Sequence, residues 1–163
     1  METNNSNLQE VVFALSEDAL FTIIHGESSY IASSLYAAMT EKSDVTPFII
    51  TEDDSELLNV TLSQAFNFIA TALSAYTTQA TGINNGMYTL ELMLPIARSS
   101  TVDQLIRHEM ERALVTYSLA IWYEFRVPEV AQRHAKAFTA SLSALRHDVY
   151  MAHRRCKRPS NYI

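Results

Sequence analysis

A single cysteine, Cys156, leaves no partner for an internal disulfide, and one thiol is too few for a structural zinc site. Neither cross-link is expected to hold the fold, and Cys156 reads as a small apolar residue near a helix end. Three glycines and four prolines in 163 residues argue against a loop-rich or all-β chain. No apolar stretch approaches the roughly 18 uninterrupted residues of a membrane span, and METNNSNLQE lacks the basic and apolar regions of a signal peptide. The expectation is a chain neither secreted by a standard signal nor membrane-spanning. Basic residues are nearly missing from the first 97 positions, where Lys42 stands alone.

What is present is a mainly helical pattern in a length that suits one domain, residues 1–163, with flexible ends at 1–7 and 159–163. The net charge of −6 hides a division: residues 1–97 hold twelve acids and one base, whereas residues 98–163 hold eleven bases and six acids. Two readings are open. Acidic N-terminal helices could be matched internally against a basic C-terminal one. Alternatively, the protomer is polar, with one end meeting the opposite end of a neighbour, because complementary potentials steer association and fix register.

The stretch Val102 to Phe125 predicts the central helix. Its first half is amphipathic through Val102, Ile106 and Met110, and from Ala113 to Tyr123 only Thr116 and Ser118 interrupt the apolar run. A helix apolar on all sides is buried. Thr101 and Gln104 fit a capping box at its start, and Pro128 turns Val127 out of the helix and opens the next one. That last helix, 128–156, carries Ala131, Ala135, Phe138, Leu142, Leu145, Val149, Ala152 and Cys156 at alternating four and three spacing, a seam suited to packing antiparallel on the central helix.

Upstream, Val11 to Leu15 reads as a short strand and Ser16 as the N-cap of a helix bearing Leu20, Ile23 and Ile24. Beyond Gly26 the stripe continues through Ile31, Leu35 and Met39, either as one kinked helix or as two short ones. Thr51 with Glu52, Asp53 and Asp54 opens a further helix whose inner positions are Leu58, Leu62, Ala65, Ile69, Ala72 and Tyr76. After the turn-rich TTQATGINNG, strict alternation of Tyr88, Leu90, Leu92 and Leu94 predicts a half-buried strand over about 87–94. A lone strand cannot satisfy its backbone, so its partner is 11–15, giving a small two-stranded element beside the helices.

No motif for catalysis emerges. His108-Glu109 begins like a metalloprotease signature, but Arg112 occupies the second histidine's place. His147 and His153 lie six apart, on different helix faces, and His25 and His134 are isolated, so all five histidines read as surface or boundary residues. A Gly-rich phosphate loop and a nucleophile elbow are missing as well. The reading is therefore no catalytic, cofactor-binding or metal-binding residue, no cofactor, and no enzyme.

Two charged clusters remain as candidate interaction surfaces: an acidic face of Glu52, Asp53, Asp54 and Glu56, and a basic tip of Arg146, Arg154, Arg155, Lys157 and Arg158. The tip suits dipole capping and solubility, a protein partner, or non-specific contact with DNA through counterion release. With only Tyr150 and Tyr162 near it, sequence-specific reading of bases is not expected.

The succession TEDDSELLNVTLSQAFNFIATALSAY, LELMLP, a helix ending LAIWYEF and a helix finishing RRCKRP resembles small, mostly helical structural proteins of tailed phages and prophages. The resemblance is to the head–tail connector or neck-adaptor type and covers roughly residues 51 to 159; the strand and helix before residue 51 depart from it. It implies a homo-oligomeric ring without catalysis, docked to portal or tail components. DNA would pass through its centre, and the chain would sit in the neck of the virion after assembly in the host cytoplasm. The alternative is a small helical adaptor or regulatory domain that binds a partner protein along the seam of the last helix.

Overall fold

A computed structural model describes residues 7–39 and 44–155, with the Arg155 side chain excepted. The elements in chain order are β1 (Leu8–Ser16), α1 (Glu17–Ala38), 3-10 turns at Thr46–Phe48 and Glu52–Asp54, α2 (Ser55–Ala72), β2 (Gly82–Asn84), β3 (Met87–Pro95), α3 (Ser100–Tyr123) and α4 (Pro128–Arg155). The expected mainly helical class with a small β element is what the chain forms. Of the expected flexible ends, Asn7 is tied down, its carbonyl accepting from the Ile96 amide at 2.9 Å; the others, like Cys156, lie outside the described residues.

The sheet has three strands in the order β1-β3-β2, all antiparallel, rather than two. The added strand is made by the turn: Asn85 (φ 48°) and Gly86 (φ 70°) form a two-residue loop with both residues in the left-handed region. That geometry matches the twist of a tight hairpin. Register places Val11, Phe13 and Leu15 beside Leu92, Leu90 and Tyr88, so one face of both strands is apolar. Beyond β2, the loop shields the β3 edge: the Thr78 amide donates to the Glu91 carbonyl at 3.1 Å and the Met93 amide to the Tyr76 carbonyl at 2.9 Å.

Helix α3 is the centre of the molecule and packs against α4, α2 and α1. Its residues Ala113 to Thr116, Ser118 to Ala120, Trp122 and Tyr123 are buried, as its composition requires. Its start differs from expectation. Ser99, not Thr101, is the N-cap, its hydroxyl accepting from the Thr101 amide at 3.2 Å. The reason lies one residue earlier, in the nearly buried Arg98 side chain. Arg98 grips Asp103 with Nε–Oδ1 at 2.6 Å and Nη2–Oδ2 at 3.0 Å. It also donates to the Pro95 carbonyl at 2.9 Å, which fixes the first helical turn against the end of β3. A bidentate pair of this kind adds geometric specificity.

Helices α3 and α4 form the expected antiparallel hairpin, joined through Glu124 to Val127. The ring pairs Tyr123–His134 and Tyr117–Phe138 mark its register, with centroids 6.5 and 5.0 Å apart. Two details of the seam are corrected. Ala135 is exposed and His134 takes its place facing α3, because a real helix turns 3.6 residues per turn and the stripe drifts around it. The central helix ends at Tyr123 rather than Phe125, whose side chain is 91% exposed in the turn. Helix α1 runs unbroken through Gly26.

Candidate functional site

The acidic surface is built where α1 and α2 begin. The Thr51 amide and hydroxyl both donate to Asp54 Oδ2, at 2.8 and 3.0 Å, a capping box that satisfies the chain entry to α2. Asp54 is therefore committed to the backbone, whereas Glu52, Asp53 and Glu56 are exposed. The fold adds two acids outside the predicted acidic set. Glu17 and Asp18, in the first turn of α1, share a shallow cleft of about 420 Å³ with Glu52, Phe21 and Ser55. A neighbouring cleft of about 400 Å³ holds Phe21, His25, Thr51, Glu52 and Asp53. The missed signal is the tie between α1 and the 46–50 connector. There Ser28 Oγ accepts from the Ile50 amide at 3.1 Å, and His25 Nδ1 donates to the Ile50 carbonyl at 2.6 Å. His25 is thereby a bridging residue rather than a bystander.

The basic surface lies at the other end of α2. Arg146 and His147 on α4 line a cleft of about 460 Å³ with Ala72, Leu73, Tyr76 and Tyr150. Arg154 is exposed two turns further on. Of the remaining predicted residues, the Arg155 side chain, Lys157 and Arg158 lie outside the described residues. Helix α2 has 18 residues, which at 1.5 Å each separates its acidic start from its basic end by about 27 Å. Among the described residues, Arg98 is the arginine that forms a close ion pair, and its partner is Asp103. Among the described residues, the clefts that hold Glu52 and Asp53 share no lining residue with the cleft that holds Arg146.

A fourth concavity, of about 570 Å³, opens between α1, α3 and α4, lined by Glu27, Glu111, Arg112, Arg133, His108 and His134 over an apolar floor. Burial raises the Glu27 carboxyl above its ordinary range, with Arg112 pulling it back. Burial, together with neighbouring Arg133, lowers the His134 imidazole. His108 and Arg112 thus sit one turn apart on a cleft wall, and the acids and arginines of the lining are balanced in sign. Among the described residues, no group of three or more His, Cys, Asp or Glu side chains could hold a metal ion. Nor is any described helix long and apolar enough to cross a membrane. No protein-family model matches the chain, and no curated protein or solved structure matches it either.

Proposed function

We propose that this chain is a non-enzymatic structural subunit, of the head–tail connector or neck-adaptor kind, that oligomerises through complementary acidic and basic ends. The observation that carries the reading is the placement of exposed charge. Asp18, Glu52, Asp53 and Glu56 gather at the start of α2 with the half-buried Glu17 beside them, and Arg146 and His147 lie at its end, about 27 Å away by the helical rise. Charges matched within one protomer would leave little to steer a neighbour; charges held apart leave each end complementary to the other end of a second copy. Repetition of such head-to-tail contacts yields a ring where the rotation between copies closes. In this reading the partners are further copies of the chain and the portal or tail components of a virion, and the basic tip meets protein or, non-specifically, DNA. The adaptor alternative needs a free seam on α4, yet Ala131, Leu145, Val149 and Ala152 are already buried.

Charge reversal tests the proposal. Arg154, Arg155, Lys157 and Arg158, all changed to Glu, are expected to abolish self-assembly while circular dichroism shows unchanged helicity. Full assembly by that variant would overturn the reading.

A further inference from the structure

The cleft at the basic end differs from the others in its chemistry. Those at the acidic end and the one between α1, α3 and α4 each hold carboxylates, whereas no acid lines this one, in a chain whose net charge is −6. Its α2 wall has none to give, because from residue 57 to residue 90 the sequence holds neither acid nor base. Asp148, next to His147 on α4, lies outside the lining. Cations and rings stand there instead: Arg146 and His147 with Tyr76 and Tyr150, and the hydroxyl of Ser143.

The two tyrosines differ in how they are held. Tyr76, in the turn after α2, is fixed, its carbonyl accepting from the Met93 amide at 2.9 Å and its ring centred 4.6 Å from that of His153. Tyr150 is 50% exposed and has no hydrogen-bond or ring partner among the described residues. A ring free to be covered, beside an arginine that forms no ion pair among the described residues, suits a planar base joined to a phosphate. The volume, about 460 Å³, falls in the range of small-ligand clefts and accommodates one nucleotide.

Helix α4 carries the same chemistry past the cleft. Ser143, Arg146, His147, Tyr150 and Arg154 are all exposed and lie within about 100° of one another around the helix. Arg154 stands about 12 Å beyond Arg146 along the axis, out of reach of a single nucleotide seated in the cleft. A duplex keeps its bases stacked on each other, whereas a single strand presents their faces to aromatic side chains. We infer that this cleft holds one nucleotide of a single-stranded nucleic acid, its phosphate on Arg146 and its base stacked on Tyr150, with the strand continuing toward Arg154. The inference rests on the reading above only in giving the basic end a partner, and it selects one partner for this cleft.

Fluorescence anisotropy of the full-length protein with a labelled single-stranded oligothymidylate at low salt tests it. Tyr150→Ala, an exposed change, is expected to weaken binding about tenfold with helicity unchanged, and Tyr150→Phe to bind as wild type does, because stacking needs the ring and not its hydroxyl. Arg146→Gln is expected to weaken binding and to lower the slope of log affinity against log salt by about 0.7, the share of one phosphate contact on a single strand. A neighbour's acidic end competes for Arg146 in the assembly. Protein carrying Glu52→Gln, Asp53→Asn and Glu56→Gln together, with α4 untouched, is therefore expected to bind the strand as tightly or more tightly. Absence of binding by both proteins overturns the inference and leaves the assembly reading standing. Binding that Tyr150→Ala does not weaken, or a duplex of the same length held as tightly as the strand, overturns it too and reduces the contact to charge alone. Thymidine monophosphate bound as tightly as the strand overturns the strand as the ligand. A chain of single mass that binds the strand with these signatures overturns the assembly reading alone.

Discussion

The hydroxyl of Tyr123, at the end of the central helix, donates to the Phe48 carbonyl at 2.8 Å, a bond spanning 75 residues of sequence. The Trp122 indole N–H reaches the same carbonyl at 3.3 Å, and Arg126 lies 3.7 Å over the Trp122 ring while donating to the Trp122 carbonyl at 2.7 Å. The end of α3 thus holds the connector that positions the acidic surface.

Tyr123→Phe removes one bond but leaves the Phe48 carbonyl with its indole donor, so the expected loss is about 1 kcal/mol. Denaturant unfolding at neutral pH measures it. The advantage of tyrosine also depends on pH. Burial pushes the buried Tyr123 hydroxyl up to about 12 from an ordinary value of 10. A raised acid contributes stability below its unfolded value and loses it as pH rises through its folded one. The difference between wild type and Tyr123→Phe is therefore expected to shrink between about pH 10 and pH 12.

Asp148 on α4 has its carboxyl raised chiefly by burial, with His147 pulling it back and Glu109 across the hairpin adding a lesser push upward. Its charge opposes folding once it is ionised, so this contribution to stability falls as pH rises through the folded value. Asp148→Asn is expected to raise the melting temperature at pH 7. That gain should disappear in acid below the ordinary carboxylate range, where the native carboxyl is already neutral. Paired melting curves at the two pH values check both parts.

The glycines Gly26 and Gly86 are expected to respond with opposite signs. Gly26 lies inside α1, and a Cβ there would meet nothing within 4 Å, so Gly26→Ala should stabilise by about 1 kcal/mol through helix propensity. Gly86 has φ +70° in the hairpin turn, with Glu17 Oε2 3.4 Å from the added Cβ. Gly86→Ala should destabilise by about 1–2 kcal/mol. Thermal unfolding of both variants shows the sign of each.

Periodicity made the helices legible, because burial on α3 and on the inner side of α2 repeats in the sequence itself. The alternation of Tyr88 to Leu94 revealed β3 for the same reason, and the antiparallel hairpin of α3 and α4 followed from one seam and one proline. Less legible were features made by distant residues. The third strand depends on Asn85 and Gly86 adopting positive φ together, and a turn-rich segment does not say which pair of its residues will do so. The cap at Ser99 depends on where Arg98 finds Asp103. The acidic and basic clusters could be named from sequence, but the placement of Glu52 and Arg146 near opposite ends of α2 could not. Neither could the recruitment of Glu17 and Asp18, because both arise from how α1 and α4 pack rather than from local pattern.

The central claim is self-assembly through separated charges, and the most direct test is the solution mass of untagged protein by light scattering across concentration and salt. The account predicts a defined multiple of the single-chain mass that dissociates as salt screens the complementary ends, with negative-stain images showing a closed particle. A single-chain mass at every concentration and at low salt would contradict it.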